Sequence, residues 1–570
     1  MAEEVWMLQT KKADFKQIGA RFRIDPVTAR IIRNRGIEGE AAIDRYLNGT
    51  LDDLYDPMLL KDMERAVSIL CEAVDTGKKI RIVGDYDIDG VCSTYILLQA
   101  FERLGSDVDF EIPDRIKDGY GINESIIEQA HADGVEVILT CDNGISAFHQ
   151  VELAKKYGMT VVITDHHEVP LDGEKEKIPP ADAVIDPKQA DCPYPFPEIC
   201  GAVVAYKLVQ VLYARRGVPQ MEWLDLLEFA AIATVGDVMK LQDENRILVK
   251  YGLKKMAQTK NLGLRRLAEK NNLDLGAITA YHIGFVIGPC LNAGGRLKTA
   301  KEALALLRAQ SEEEAERLAE ELKELNDTRK DMTEQGTEAA KLQVESWYQK
   351  DKVLVVFLPE CHESLAGIIA GRLREYYQKP AIVLTRGEEA VKGSGRSIDE
   401  YHMFKKLTEV SDLLLKFGGH PLAAGLSLEE KNIDEFRRRL NENAGLTEED
   451  FKAKVWIDVP MPVGYVTERL VRELSCLEPF GQGNEKPLFA EKSLRIRASR
   501  VLGRNRNVVK MTLEETDGHA IEALYFGDGT AFEEERAGRR EIDVVYYPDI
   551  NEYNGRKTLQ AGIRRYKFRG

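Results

Sequence analysis

From Lys79 onward, short apolar runs alternate with amphipathic segments, and this alternation limits the possible fold more than any other feature of the sequence. KIRIVGDY, DVDFEIP, VEVILTCDNG and MTVVITDHH are typical of strands, and helical patterns at 91–105, 124–132 and 147–157 separate them. Strands that alternate with helices form a parallel sheet covered on both faces. The sequence therefore predicts an α/β fold.

The rest of the chain predicts further domains, because 570 residues are too many for one hydrophobic core. A helical N-terminal segment is predicted over 1–70, the parallel-sheet domain over 71–300, and a solvated linking helix over 301–349. A second, smaller α/β domain is predicted over 350–455. Short alternating runs over 456–570, separated by Gly and Asn turns, indicate a small β-barrel.

The composition excludes some classes of protein. Hydrophobic residues make up 44%, and no apolar run approaches the ~20 residues needed to cross a bilayer. The acidic, mixed N-terminus lacks the apolar region of a signal peptide. Eight scattered cysteines form no C-x-x-C pair, which favours reduced thiols in a cytosol. We therefore expect a cytoplasmic protein without a membrane segment.

Charge is unevenly distributed along the chain. The net charge is −16, which alone argues against a polyanionic partner. From Lys486 to the C-terminus, however, 17 Lys and Arg face 13 Asp and Glu, a local excess of +4. Acidic clusters can also bind cations that in turn attract phosphates. The overall sign of the charge therefore decides nothing about nucleic acid.

Acidic residues follow the apolar strands. Asp85, Asp87 and Asp89 alternate in GDYDIDG, where a strand runs into a helix. An acidic turn with a helix cap would explain this motif alone. The pattern recurs, however, at Asp142 in LTCDNG, at the end of VITDHHE and in ATVGDVM. Open parallel sheets place ligands at such strand ends, and mixed carboxylate and imidazole ligands suit Mn²⁺ or Mg²⁺.

These motifs, in this order, resemble motifs one to four of the DHH phosphoesterase superfamily. Nearly the whole chain is similar to the RecJ exonucleases within it. The supporting segments are GPCLNAGGRL, CHESLAGIIAGRL, GSGRS and FGGHPLAAGL in the DHH and DHH-associated domains, and EPFGQGNEKPLFA at the entrance to an OB-fold.

The resemblance implies a metal-binding site for two divalent ions. Asp142 would bridge the two ions and Asp87 would hold the first, with Asp85 nearby. Asp89, His166 and Asp237 would hold the second, and His167 would contact the scissile phosphate. Two such cations activate a bridging water and neutralise both the attacking and the leaving oxygen.

The resemblance also implies residues that bind DNA. Arg372, Ser394, Gly395 and Arg396 are candidates for the terminal phosphate, and His420 belongs to a second tight turn that faces the metals. Arg115 and Arg296 are candidates for backbone phosphates, although an ordinary surface arginine explains Arg115 equally simply. In the barrel, Arg495, Arg497, Arg500, Arg504, Arg506 and Lys510 would form a basic side, with Tyr525, Phe526, Tyr546 and Tyr547 as available aromatics.

The sequence departs from the superfamily pattern at two positions. Val83 stands where many members have a metal-binding histidine, so the first metal could recruit Asp85 instead. Cys290 stands where the related G-P-x-L-N motif often carries arginine, so any phosphate contact from that position is lost.

The implied activity is hydrolysis of single-stranded DNA from its 5′ end to 5′-mononucleotides, with Mn²⁺ or Mg²⁺, in repair and recombination. The expected partners are single-stranded DNA, a single-strand-binding protein and a helicase, with the chain acting as a monomer. Two alternatives stay open at this point. One is a DHH-type nano-RNase or nucleotide phosphatase, and the other is a Cdc45-like scaffold without catalysis.

Overall fold

The structure is a computed structural model that describes residues 4–553 and 555–569. The chain forms two compact units. The first contains Leu54–Lys240 and Glu244–Ala453, and the second contains Glu4–Asp53, Leu241–Asp243 and the chain from Lys454 onward. Within the described ranges, no helix is both long and apolar enough to cross a membrane.

The second unit starts with a strand that local sequence patterns did not predict. It is β1 (Glu4–Leu8), and α1 (Phe15–Phe22), α2 (Pro26–Asn34) and α3 (Glu40–Asn48) follow it. The Asp25 side chain caps α2 by accepting the backbone N–H of Val27 at 2.8 Å. The prediction of a helical segment is therefore confirmed for α1 to α3 and wrong for β1.

The first unit opens with the predicted βαβ rhythm. Its elements are α4 (Met63–Thr76), β2 (Ile80–Val83), α5 (Ile88–Arg103), β3 (Val108–Glu111), α6 (Glu124–Ala132), β4 (Val137–Cys141), α7 (Phe148–Lys156), β5 (Thr160–Thr164), β6 (Leu171–Asp172), β7 (Lys175–Glu176) and β8 (Ala183–Ile185). Five strands form one sheet in the order β3-β2-β4-β5-β8, and every neighbouring pair is parallel. The parallel α/β prediction is confirmed, and all strand ends meet at one edge.

A helical layer follows. It contains α8 (Gly201–Arg215), α9 (Gln220–Leu224), α10 (Leu227–Gly236), α11 (Asp243–Met256), α12 (Leu262–Lys270), α13 (Ala280–His282), a π-helix (Ile283–Ile287), α14 (Gly288–Leu297), α15 (Lys301–Arg308) and α16 (Glu312–Gln343). The long linking helix is confirmed as α16. It is not solvated all round, however, because Leu318 and Leu322 are buried on one face.

The second α/β domain belongs to the same unit. It contains β9 (Leu354–Phe357), α17 (Ala366–Tyr377), β10 (Ala381–Arg386), β11 (Val391–Arg396), α18 (Met403–Thr408), β12 (Leu414–Gly419), β13 (Ala423–Leu428) and α19 (Ile433–Glu442). The sheet order is β12-β13-β11-β10-β9, in which only β9 and β10 run parallel. The central strand β11 ends at Arg396.

The C-terminal strands complete the second unit. They are β14 (Ala453–Ile457), β15 (Val459–Pro460), β16 (Phe489–Leu502), β17 (Val508–Glu514), β18 (Ala520–Phe526), β19 (Glu541–Tyr553) and β20 (Arg556–Arg569), with the helices α20 (Glu468–Leu474) and α21 (Gly529–Arg536). The pairing of β16 with both β17 and β19 closes the sheet, which confirms the predicted barrel.

The barrel and the N-terminal helices share one apolar core. Ile31 and Ile32 of α2 and Tyr46 of α3 are buried together with Leu474 and Phe489. Meanwhile α4 packs in the first unit, against β8 and α8. The predicted segment 1–70 is therefore divided between the two units.

Candidate metal centre

The GDYDIDG segment forms a tight loop between β2 and α5. Asp87 caps α5, and its carboxylate accepts the N–H groups of Asp89 and Gly90 at 3.0 and 3.1 Å. A Cβ atom at Gly90 would lie 2.4 Å from the carbonyl oxygen of Asp85, so only glycine fits there. The loop thereby brings three carboxylates to the edge of the sheet, and Asp85 and Asp89 are fully buried.

Asp142 follows β4 and is held in an unusual backbone conformation. Its φ angle is +62°, in the left-handed region, and its side chain is buried. A Cβ atom on Gly201 would lie 2.7 Å from the Cβ of Asp142, so glycine at the start of α8 leaves room for this side chain. The N–H groups of Gly201 and Ala202 also donate to the Asp89 carboxylate at 2.7 Å each. The helix N-terminus thus stabilises one buried negative charge.

His166 is the point where the carboxylates converge. Its Nε2 atom lies 3.0 Å from Asp142 Oδ1, 3.4 Å from Asp89 Oδ2 and 3.8 Å from Asp237 Oδ2. Burial lowers the pKa of His166, which favours the neutral imidazole that a metal requires. Four chain segments distant in sequence thus supply oxygen and nitrogen atoms to one small volume.

The cluster fits divalent cations. Asp85, Asp87 and Asp142 place one oxygen each within 4.8 Å of one another, and Asp89, His166 and Asp237 form a second such group. Asp142 Oδ1 is buried and makes no hydrogen bond, although His166 Nε2 lies 3.0 Å from it. Burial and the neighbouring carboxylates raise the pKa of Asp85 and of Asp237 to about 8. Such a concentration of buried acid needs a compensating positive charge.

Val83 explains the composition of the first group. This residue is fully buried at the end of β2 and offers no ligand atom. Asp85, two residues later, instead joins Asp87 and Asp142. The arrangement agrees with recruitment of Asp85 in place of the histidine found in many superfamily members.

His167 lies beside the cluster and is oriented by two neighbours. Its Nδ1 atom is 2.8 Å from Asp165 Oδ1 and 3.0 Å from the hydroxyl oxygen of Tyr120. Tyr120 in turn donates to the backbone carbonyl of Asp142 at 2.8 Å. Burial acts to lower the pKa of His167, but the hydrogen bond and charge of Asp165 outweigh it and raise the pKa to about 9. The Asp165 carboxylate therefore favours the protonated form of His167.

A cavity of about 340 Å³ lies between the two α/β domains of the first unit, and arginines line it. Arg115, Arg296, Ser394 and Arg396 contribute, together with Gly367. Arg396 donates to Ser394 Oγ at 3.2 Å and to the carbonyl of Gly395 at 2.8 Å. Burial and neighbouring guanidinium groups lower the pKa of Arg296 to about 10 and also lower that of Arg396. Such a concentration of positive charge favours a bound anion.

No carboxylate in the described part of the chain lies within 4.0 Å of these three guanidinium groups. Arg296 donates instead to the carbonyl of Ser364 at 3.0 Å, and Arg115 stacks over the ring of Tyr86 at 4.6 Å. Glu363 also lines the cavity, although its carboxylate is not within ion-pair distance of the three guanidinium groups. Arginines that gather without carboxylate partners are typical of phosphate sites.

Three of the predicted DNA-binding residues do not line this cavity. Gly395 lies in β11, which is paired on both sides, and its Cβ position faces Met403 in the domain core. Arg372 lies on the preceding helix, α17. His420 follows β12, and its role in binding DNA stays a prediction.

Sequence patterns missed two residues of the site. Tyr120 lies in a loop and carried no motif. Arg329 lies in the middle of α16, where it resembled an ordinary surface charge, and it donates to Asn326 Oδ1 at 2.9 Å. Asn326 also contacts the buried Cys290 at 3.3 Å. Asn326 therefore connects the Arg329 guanidinium with Cys290, the position where the related motif often has arginine.

Comparison with family models identifies each domain. The DHH family N-terminal domain matches residues 79–234, the DHHA1 domain matches 350–445, and the RecJ OB domain matches 457–565. Together with the acidic strand ends, these matches define a DHH-type protein that carries an OB-fold.

Individual relatives show which family within this class the chain belongs to. The single-stranded-DNA-specific exonuclease RecJ of Bacillus subtilis is 36% identical over 98% of this chain and 70% of its own length. The Escherichia coli protein of the same name is 34% identical over 95% of each chain. The chain belongs to the RecJ family. A crystal structure of Thermus thermophilus RecJ with Mn²⁺ superposes with a TM-score of 0.84 at 28% identity, over 99% of this chain and 80% of that one.

Proposed function

We propose that this protein is a single-stranded-DNA-specific exonuclease that hydrolyses phosphodiester bonds from the 5′ end and releases 5′-mononucleotides, in DNA repair and recombination. One observation carries the proposal. The metal centre and the arginine cavity meet along α14, where Asn292 Oδ1 accepts the N–H of Ile88 from the metal loop at 2.9 Å. Arg296, near the end of the same helix, lines the cavity. A cation site for cleavage and an anion site for a terminal phosphate are thus built side by side.

The side chains of the metal centre would hold two metal ions. Asp142 would bridge two divalent ions, Mn²⁺ or Mg²⁺, with Asp85 and Asp87 on one side. Asp89, His166 and Asp237 would serve the other side. The bound ions would supply an activated water and neutralise charge on the reacting oxygens. Because Gly201 and Ala202 fix Asp89, and Tyr120 donates to the backbone of Asp142, these ligands are held in place before substrate arrives.

His167 would bind the phosphate that is cleaved. Asp165 fixes the imidazole ring and favours its protonated form, so His167 would offer an N–H donor to the phosphate. In the neighbouring cavity, Ser394 and Arg396 would hold the 5′-phosphate through a hydroxyl and a planar fork of donors, and Arg115 and Arg296 would bind backbone phosphates. Arg372, on α17, is proposed to assist at the terminal phosphate. A strand anchored in this way presents its first phosphodiester bond to the metals.

We further propose that the later domains correspond to 71–300, 301–349, 350–455 and 456–570, while the first 70 residues are divided between the two units. We also propose that the chain works as a monomer in the cytoplasm, together with a single-strand-binding protein and a helicase. Analytical ultracentrifugation and pull-down with purified partners test these points.

Digestion of end-labelled DNA tests the proposed function. With Mn²⁺ and a long single strand, a 5′ label is expected to appear at once as a mononucleotide, whereas a 3′ label stays on progressively shorter strands. Release of the 3′ label first would contradict the polarity. Hydrolysis confined to very short oligonucleotides would favour a nano-RNase, and a folded protein without hydrolysis would favour a scaffold.

The barrel is proposed to bind single-stranded DNA. Tyr546 and Tyr547 are buried, so the barrel surface keeps only part of the aromatics that the sequence offered. Phe526 in β18 is 66% exposed and Arg500 in β16 is also exposed, on two strands of the same sheet that β17 separates. OB-folds combine stacking and basic groups on such surfaces.

Replacing Phe526 and Arg500 together by alanine is expected to weaken binding of long single strands about tenfold and to flatten its salt dependence by roughly one phosphate contact. Cleavage of very short strands should stay unchanged. Fluorescence anisotropy across a salt series measures both effects. The matched control is Arg472→Ala, since Arg472 lies on α20 and is already paired with Glu468 at 2.8 Å. Truncation of the barrel is a poorer test, because it would expose Ile31 and Ile32.

A further inference from the structure

Two aromatic rings stack on the surface of the first unit in a place that none of the site motifs covers. Tyr281 is 63% exposed and Phe285 is 68% exposed, and their ring centroids lie 4.8 Å apart with planes inclined by 26°. On the opposite face of the same segment, Ile283 and Ile287 are fully buried. Burial of that face holds the segment to the protein while the two rings stay in solvent. We call Tyr281 and Phe285 the aromatic patch.

The backbone beneath the patch is unusual. Residues Ile283–Ile287 form a π-helix between α13 and α14. Such π-helical turns are rare in proteins, and many of those known lie at functional sites. The π-helix leads directly into Gly288, the first residue of α14.

The patch lies next to the metal centre. A Cβ atom on Gly288 would be 3.3 Å from Ile88 Cδ1, and one on Gly236 would be 2.6 Å from Ile88 Cγ2. Ile88 stands between Asp87 and Asp89, and Gly236 precedes Asp237. The start of α14 and the end of α10 therefore both pack on the metal loop. A Cβ atom on Gly284, within the patch segment, would likewise contact Val235 of α10 at 3.6 Å.

Helix α14 connects the patch with the arginine cavity. The patch precedes its first residue, Asn292 in its middle binds the metal loop, and Arg296 near its last residue lines the cavity. At a rise of about 1.5 Å per residue, Phe285 and Arg296 are roughly 16 Å apart along the axis. This distance corresponds to about five stacked nucleotides, and to fewer if the strand is extended.

We propose that the aromatic patch stacks the bases of the single strand a few nucleotides beyond the cleaved bond. The proposal rests on the proposed function and adds a subsite to it. The arginine cavity would hold the 5′-phosphate beside Asp87, while the patch lies on the side of Asp237. A strand anchored in the cavity would cross the metals and continue toward the patch. Exposed aromatic rings accept any base, so this subsite would favour flexible single strands without reading their sequence.

A scan with abasic nucleotides tests the patch without requiring hydrolysis. Short 5′-phosphorylated strands, each lacking one base at a different position, are bound to chelator-treated protein and followed by fluorescence anisotropy. In the wild type, loss of the base at one or two positions within the first few nucleotides should weaken binding roughly five- to a hundredfold. In a protein with Tyr281→Ala and Phe285→Ala, the profile over those positions should be flat.

Conservative and matched variants separate stacking from other effects. Tyr281→Phe should keep the wild-type profile, whereas Phe285→Leu, which keeps apolar surface but removes the ring, should reduce the sensitivity. Trp347→Ala is the control, because Trp347 is 70% exposed in another π-helix of the same unit, after α16. It should leave the profile unchanged.

An abasic profile that persists in the double variant would overturn the proposal. An equal loss of sensitivity in Trp347→Ala would also overturn it. So would dimerisation of the wild type through this face in size-exclusion chromatography, because a dimer would cover the two rings. Failure of the wild type to digest DNA would refute the proposed function instead, since the binding profile is measured without metal.

Discussion

Replacing Asp142 by alanine is expected to reduce hydrolysis of single-stranded DNA at least about a thousandfold, roughly 4 kcal/mol in activation free energy. Asp142 can hold a metal together with Asp85 and Asp87, and it also forms a group with His166 and His167. Its loss therefore removes an oxygen from both sides of the centre. Binding of the strand to the arginine cavity should persist. Steady-state kinetics with Mn²⁺ and anisotropy without metal measure the two effects.

Thermal unfolding of a second variant, Asp142→Asn, tests whether a change at this position disturbs the fold. Burial and the neighbouring carboxylates raise the pKa of Asp142 well above its ordinary value. An acid with a raised pKa in the folded state destabilises the fold as pH rises above its ordinary pKa of about 4. Without metal at neutral pH, Asp142→Asn should therefore unfold at the same or a higher temperature than the wild type, and Mn²⁺ should stabilise it less.

A buried aspartate outside the metal groups supplies the matched comparison. Asp186 follows β8 in the same sheet, and burial raises its pKa to about 7. Asp186→Asn should change the rate less than about tenfold, because Asp186 belongs to none of the metal groups among the described residues. If Asp142→Ala retained a rate within a few-fold of the wild type, the bridging role would be refuted.

Replacing Arg396 by alanine is expected to lower kcat/KM for 5′-phosphorylated strands about a hundred- to a thousandfold, roughly 3–4 kcal/mol. Strands with a 5′-hydroxyl should lose less than about tenfold. The guanidinium is largely desolvated, has no carboxylate partner among the described residues and donates to Ser394, so a bound phosphate is its natural partner. The ratio of kcat/KM for the two substrates isolates this contact.

Two further variants sharpen the test. Arg396→Lys keeps the charge but loses the planar fork, so it should recover only part of the discrimination. Arg374→Ala removes a nearby arginine that is already paired with Glu375 at 3.2 Å, and it should leave the ratio unchanged. An unchanged ratio in Arg396→Ala would mean that Arg396 binds another phosphate or serves the structure.

The convergence of the acidic residues was predictable from the sequence because it follows from local patterns. Parallel strands end at one edge of a sheet, so acidic residues after β2, β4 and β5 had to meet. Side-chain direction was harder to predict. Ser394 and Arg396 point into the cavity and Gly395 points away, because neighbouring residues in a strand face opposite sides.

Contacts between distant segments could not be predicted. β1 pairs with β14, and no local signal in either strand names its partner. Tyr120 orients His167 from a loop, and Arg329 lies on a helix whose charges mostly look like those of a solvated surface. The two rings of the aromatic patch fit a helical periodicity, but their exposure appears only once the opposite face is seen to be buried.

The shared core of the N-terminal helices and the barrel has a consequence for biosynthesis. The ribosome releases α1 to α3 first, but their apolar faces have no partner until the chain beyond Lys454 has emerged, some 400 residues later. At about 5–20 residues per second, this delay lasts roughly 20–80 s. The nascent N-terminus therefore exposes Ile31 and Ile32 while the intervening unit is already able to fold, and chaperones have their longest opportunity to bind there.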